Sequence, residues 1–174
     1  MATVTFQTET VCTLVGNEIN VGDTAPAVTV VNCDPMLQDE QIGGAQDTVQ
    51  LVVVVPSLDT PVCDAETRKF NTEAASIEGV SVKTVSMDLP FAAAKFCTTA
   101  GIKDLDVCSD FRNRDFSNAY GVLISDGPLA GLTCRAIFVI DKKGVVTYKE
   151  LVSEITAEPD YEAAIAAASA LIGA

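Results

Sequence analysis

Apolar residues fall in short runs separated by turn signals, and the runs predict alternating strands and helices. Thr3 to Phe6 and Val11 to Val15, split by the polar Gln7 to Thr10, read as a short hairpin capping one edge of the domain. Ala27 to Val31 is a further extended stretch, and Cys33 to Asp47, with Asp34-Pro35 and Gly43-Gly44, reads as a loop. Val49 to Val55 is almost entirely β-branched, the pattern of a strand buried on both faces. Pro56 ends that run, and Thr60-Pro61 opens a helix: a hydroxyl for the N-cap, then a proline whose missing N–H costs nothing there. This helix carries Phe70, Ala74 and Ile77 on one face and is expected to stop at Gly79.

Val80 to Met87 is the next strand, and Asp88 is expected to cap a second helix that runs to about Thr99 and stops at Gly101. Strand, helix, strand and helix at these spacings predict a right-handed βαβ unit on a parallel sheet. Lys103 to Phe116 is polar, with a short helix within Phe111 to Tyr120. Cys134 to Ile140 and Val145 to Leu151, joined by Asp141-Lys142-Lys143-Gly144, form the clearest hairpin. Glu158-Pro159-Asp160 then opens a core helix bearing Tyr161, Ala164, Ile165, Ala168, Leu171 and Ile172.

A length of 174 residues favours a single domain over 1–174, and 48% hydrophobic with 20% charged residues describes a folded chain. A net charge of -13 argues against nucleic acid or an anionic membrane as partner. With no basic n-region at Met1 to Phe6 and no run long enough to span a bilayer, a soluble, cytoplasmic protein is expected. The chain has no histidine, which removes Ser-His-Asp and Cys-His activation and histidine metal sites together. Six cysteines, at 12, 33, 63, 97, 108 and 134, show no C-x-x-C, so structural zinc is not expected and most should pack as small apolar groups. Cys108 follows a loop, which makes it a candidate for exposure.

Cys63 differs from the others. It falls in the first turn of the helix opened by Thr60, where N–H groups and the helix dipole favour a thiolate. Asp64 and Glu66 work against that thiolate, so a cation from elsewhere is required. Arg135, in an apolar strand, must face a polar or anionic partner. Cys134 beside it should point the other way if the strand alternates.

Pro56, Thr60 and Cys63 form a P-x-x-x-T-x-x-C pattern, and Pro56 to Cys63 followed by Thr67-Arg68-Lys69-Phe70-Asn71 resembles the bacterial thiol peroxidase branch of the peroxiredoxins. The likeness continues through Asp88-Leu89-Pro90-Phe91, Phe96-Cys97, Phe111-Arg112-Asn113, Asp126-Gly127-Pro128-Leu129 and Arg135-Ala136 to Tyr161-Glu162-Ala163-Ala164. It implies an α/β, thioredoxin-like fold, here with an added N-terminal β-hairpin. It implies that Cys63 is the peroxidatic cysteine, attacking hydrogen peroxide or an alkyl hydroperoxide to give a sulfenic acid. Cys97 would be the resolving cysteine, closing an intramolecular disulfide that a thioredoxin-like reductant opens. Arg135 would be the cation beside the thiolate, Thr60 a donor to the peroxide, and Pro56 a shield against water. A homodimer is implied, with no metal or organic cofactor. Cys33, Cys108 and Cys134 are extra to the pattern.

Cys63 and Cys97 would start on different helices, and a disulfide needs Cα atoms within about 7 Å, so local unwinding would have to precede the bond. Apolar Phe91 and Leu129 are expected near the site and would suit alkyl chains. The competing reading from another class is a thioredoxin-like binding or chaperone module without turnover. A general thiol-disulfide oxidoreductase is disfavoured by the missing C-x-x-C.

Overall fold

The computed structural model describes residues 1–173. Its centre is a seven-stranded mixed sheet, in order along the chain β3 (Val28–Asn32), β4 (Asp39–Ile42), β5 (Val49–Val54), β6 (Val80–Ser86), β7 (Asp106–Ser109), β9 (Ala136–Ile140) and β10 (Val146–Leu151), arranged as β10-β9-β5-β6-β7-β3-β4. β5, β6 and β7 run parallel to one another, and β9 and β3 pair antiparallel on either side of them. Every residue of β5 is buried, as expected of a central strand covered on both faces, and its one polar residue, Gln50, bonds through its side chain to the Gly43 N–H and the Gly44 carbonyl. A second, three-stranded sheet joins β1 (Thr3–Phe6), β2 (Thr10–Val15) and β8 (Leu123–Ile124).

Alternation along β5 and β9 divides the core in two. Leu51, Val53, Ile137 and Val139 face α1 (Pro61–Glu73), α2 (Pro90–Ala100) and α4 (Tyr161–Ala170), meeting Phe70, Ala93 and Tyr161. Val52, Val54, Ala136 and Phe138 face the small sheet and α3 (Asp115–Ala119), meeting Leu14, Phe116 and Tyr120. This is a thioredoxin-like layering with the N-terminal hairpin added on the face opposite α1, α2 and α4.

Several local expectations are corrected. The stretch 33–47 contains β4, an edge strand of sequence Asp-Glu-Gln-Ile that has almost no apolar signal and forms by pairing with β3. The polar stretch 103–116 likewise contains β7, held between β6 and β3. α1 ends at Glu73, six residues before Gly79, and the chain reaches Gly79 through turns closed by Ile77 N–H to Ala74 and Val80 N–H to Ile77. Leu89, not Asp88, is the N-cap of α2, whereas Gly101 does terminate it in the left-handed conformation at φ 69°. α4 is capped as read, with the Asp160 carboxylate accepting from the Ala163 N–H.

Phe138 lies fully buried on β9 against Tyr120, and Phe91 is 62% exposed on α2. Phe138→Ala is expected to cost about 3–5 kcal/mol and Phe91→Ala about 0.5 kcal/mol or less, read by circular dichroism during urea unfolding. Equal costs would contradict this division between core and surface.

Candidate active site

The buried β5 runs into Val55, whose N–H donates to the Val85 carbonyl and whose own carbonyl accepts from the Thr133 hydroxyl at 2.7 Å. The chain then turns through buried Pro56 toward α1. Asp88 shapes this turn: its carboxylate accepts from the Ser57 hydroxyl at 2.8 Å, the Leu58 N–H at 2.7 Å and the Ser86 hydroxyl at 2.7 Å. The aspartate read as a helix cap therefore ties the turn before α1 to the end of β6. Thr60 is the N-cap residue by backbone conformation, but its hydroxyl donates to the Ser57 carbonyl at 2.9 Å and caps no N–H of the helix.

Along α1, Cys63, Glu66, Thr67 and Phe70 form the buried stripe, at the i, i+3, i+4, i+7 spacing of one helix face. Cys63 is completely buried, and the Arg135 Nη2 donates to its sulfur at 3.4 Å. Arg135 stands just before β9 with its side chain 2% exposed. Its Nη1 pairs with the Glu66 carboxylate, and its Nε and Nη2 donate to the Ile155 carbonyl at 3.1 and 2.9 Å. Burial works against the guanidinium charge, but Glu66 and Cys63 overcome it and raise its affinity for the proton. Neighbouring Cys134 packs on the opposite face of the sheet, as alternation requires.

Glu66, expected from the sequence only as a helix-start acid that opposes the thiolate, is fully buried and paired with Arg135. Extending the apolar stripe back from Phe70 through Thr67 to Cys63 would have put Glu66 inside. One of its oxygens, Oε1, is buried without a partner among the described residues. Burial pushes the Glu66 carboxyl up to about 7 despite the pull of Arg135.

Cys97 lies in the last turn of α2, partly exposed, and its sulfur is 3.9 Å from that of Cys33. All six cysteines are free thiols, and Cys108, expected to be exposed, is buried. Burial raises the Cys108 thiol well above its ordinary value and Cys134 to about 12, which keeps both protonated. Arg68 reaches from α1 to the Ala100 carbonyl at 3.0 Å, and the Asn71 side chain accepts from the N–H groups of Lys103 and Asp104, so the C-terminal end of α2 is pinned to α1.

A groove of about 720 Å³ opens between the start of α1 and α2, with Leu58, Thr60, Pro61, Ala92 and Phe96 on its walls. Phe91 and Leu129, expected at the site, do not line it: Phe91 is turned to solvent and Leu129 packs with the small-sheet core. Arg112 sits away from the site, with an exposed contact to Asp39 at 3.4 Å.

Residues 20–165 match the Redoxin family. The chain is 55% identical over 150 residues to a thiol peroxidase of Aquifex aeolicus, covering 86% of this chain and 87% of that one. It is 50% identical to a thiol peroxidase of Halalkalibacterium halodurans over 99% of this chain and all of the other. The fold superposes with a TM-score of 0.93 on the crystal structure of a peroxiredoxin-like protein from Aquifex aeolicus, at 50% identity and 98% coverage of both chains.

Relative to Glu66→Gln, the stability of the unaltered protein is expected to fall as pH rises from the ordinary carboxyl value of 4.5 to about 7. A carboxyl that holds its proton more tightly when folded stabilises the fold below its unfolded pKa and loses that contribution as pH climbs through the folded one. Urea midpoints of the two proteins across this window check the sign. The opposite slope would mean that Arg135 holds Glu66 ionised throughout.

Proposed function

Given that the chain belongs to the thiol peroxidases of the Redoxin family, thiol-dependent peroxidases of the peroxiredoxin type, we propose that Cys63 is the nucleophile that reduces hydrogen peroxide and alkyl hydroperoxides, and that Cys97 resolves the product. One observation carries this reading: among the described residues, Cys63 is the cysteine whose sulfur accepts a hydrogen bond from a guanidinium, Arg135, inside a buried site. The peroxidase assignment displaces the alternative of a binding or chaperone module on the same scaffold.

The Cys63 thiolate attacks one peroxide oxygen in line with the O–O bond. That bond breaks, sulfur becomes a sulfenic acid, and hydroxide or alkoxide leaves and takes a proton from water. Negative charge thus moves from sulfur to the departing oxygen, and a cation fixed beside both stabilises the transition state. Arg135 meets that need because its other N–H groups are anchored on Glu66 and the Ile155 carbonyl, so it does not have to reorient as charge shifts. Glu66 competes with the thiolate for the guanidinium charge. Its reluctance to ionise leaves more of that charge to the sulfur.

The groove beside Thr60 is the natural approach for substrate, and its Leu58, Ala92 and Phe96 walls suit the alkyl group of an organic hydroperoxide. A small opening of the first turn of α1 would admit the peroxide to the buried sulfur and free the Thr60 hydroxyl from Ser57 to donate to it. Pro56, buried at the turn, keeps water from the sulfur.

The Cys97 thiolate then attacks the sulfenic sulfur, the S–O bond breaks, hydroxide leaves and takes a proton from solvent to become water, and the Cys63–Cys97 disulfide forms. Cys97 must leave Cys33 to do so, which requires the last turn of α2 to unwind and the Arg68 contact to Ala100 to break. In a chain-entropy account the closed loop contributes roughly 3 to 4 kcal/mol, which the lost helix offsets, leaving a bond that a thioredoxin-like dithiol can reduce.

Cys63→Ser is expected to abolish peroxide consumption, and Cys97→Ser to consume one equivalent and stop, when peroxide loss is followed with a thioredoxin donor. Normal turnover by Cys97→Ser would rule out its resolving role. Arg135→Gln is expected to slow oxidation of Cys63 by roughly 100-fold or more.

A further inference from the structure

The reaction described above uses two cysteines, yet three lie on one side of the sheet. Cys33, Cys63 and Cys97 all belong to the layer beneath α1, α2 and α4, whereas Cys12, Cys108 and Cys134 lie in the opposite layer. Cys33 follows β3, with its N–H donating to the Val107 carbonyl at 3.0 Å, so its position is fixed by the sheet. In the folded protein the thiol nearest Cys97 is this one, at 3.9 Å. A disulfide needs the sulfurs at about 2.05 Å, an approach of roughly 2 Å from where they stand.

We propose that Cys33 is a third redox cysteine, which takes Cys97 from the Cys63–Cys97 disulfide by thiol–disulfide exchange. This rests on the resolving role proposed for Cys97. The Cys33 thiolate attacks the Cys97 sulfur, a Cys33–Cys97 bond forms, the Cys63–Cys97 bond breaks, and Cys63 leaves as a thiolate. No further oxidant is consumed, since the exchange moves one disulfide between partners.

Two features favour this direction. The Cys63–Cys97 bond holds α2 partly unwound, whereas the Cys33–Cys97 bond joins sulfurs that already meet when α2 is intact, so the exchange recovers the lost helical turn, the Gly101 cap and the Arg68 contact. The leaving group, Cys63, departs onto Arg135, and a stabilised thiolate leaves faster. Cys97 stays partly exposed, so the reductant can open the new bond there.

The exchange has a stoichiometric consequence. Cys63 returns to its thiolate before any reductant arrives, so a second peroxide can be reduced to leave a Cys63 sulfenic acid. Without donor, the unaltered protein is expected to consume two equivalents of hydrogen peroxide, and Cys33→Ser one.

Cleavage before aspartate places each of the six cysteines on a separate peptide, so the bonds can be mapped directly. After one equivalent of hydrogen peroxide and a maleimide quench, the unaltered protein is expected to show Cys33–Cys97 with Cys63 alkylated, Cys33→Ser to show Cys63–Cys97, and Cys63→Ser to show neither bond. A stable Cys63–Cys97 bond with alkylated Cys33 in the unaltered protein overturns the exchange while leaving the resolving step intact. A Cys33–Cys97 bond forming equally fast in Cys63→Ser also overturns it, because oxidation would then bypass Cys63. A persistent Cys63 sulfenic acid in Cys33→Ser, with no bond to Cys97, overturns the resolving step and the exchange with it.

Discussion

A guanidinium removed from water costs several kcal/mol unless other groups neutralise and hydrogen-bond it, and the groups that do so for Arg135 come from two distant parts of the chain. Cys63 and Glu66 arrive on α1, and the Ile155 carbonyl arrives on the segment between β10 and α4. The central sheet is what lets them meet. β5 delivers α1, antiparallel β9 places Arg135 next to the end of β5, and β10 returns the chain past the same point. A buried cation with fixed partners makes the cysteine beside it electrostatically unlike the other five.

The sheet also sorts the thiols. Cys108 and Cys134 are packed where burial holds them protonated, and with Cys12 they face the small sheet. Cys33, Cys63 and Cys97 share the helical layer. Chemistry proposed for one side is thereby insulated from inert thiols on the other. The contacts that pin the end of α2, from Arg68 and Asn71, are exposed hydrogen bonds, of the kind that opens locally at lower cost than a buried core.

The features legible in the sequence were those with a strong local cause. A run rich in valine points to β5, a turn between two apolar runs to the β9–β10 hairpin, and Thr60-Pro61 to the start of α1 although the threonine hydroxyl bonds elsewhere. β4 and β7 have no local signature because they are short, polar-flanked strands that exist through pairing. An aspartate before Leu-Pro has the local pattern of a cap, whereas Asp88 accepts from the neighbouring turn. A cation near Cys63 could be demanded from charge alone, and the resemblance pointed to Arg135. The inward face of Glu66 required following one helical stripe across a charged residue. The meeting of Cys33 and Cys97, 64 residues apart, has no local signature and follows only from α2 packing over the ends of the sheet.

The central claim is that the folded site, and not cysteine chemistry in general, makes Cys63 reactive. The most direct test is the rate at which hydrogen peroxide oxidises Cys63 in the folded protein and in the same chain unfolded in urea, read peptide by peptide in quenched flow. Burial alone would slow a thiol, so the expected result is telling: Cys63 reacts orders of magnitude faster when folded and far faster than the other five cysteines. Equal rates in the two states, or slower reaction when folded, would contradict a site built around Arg135.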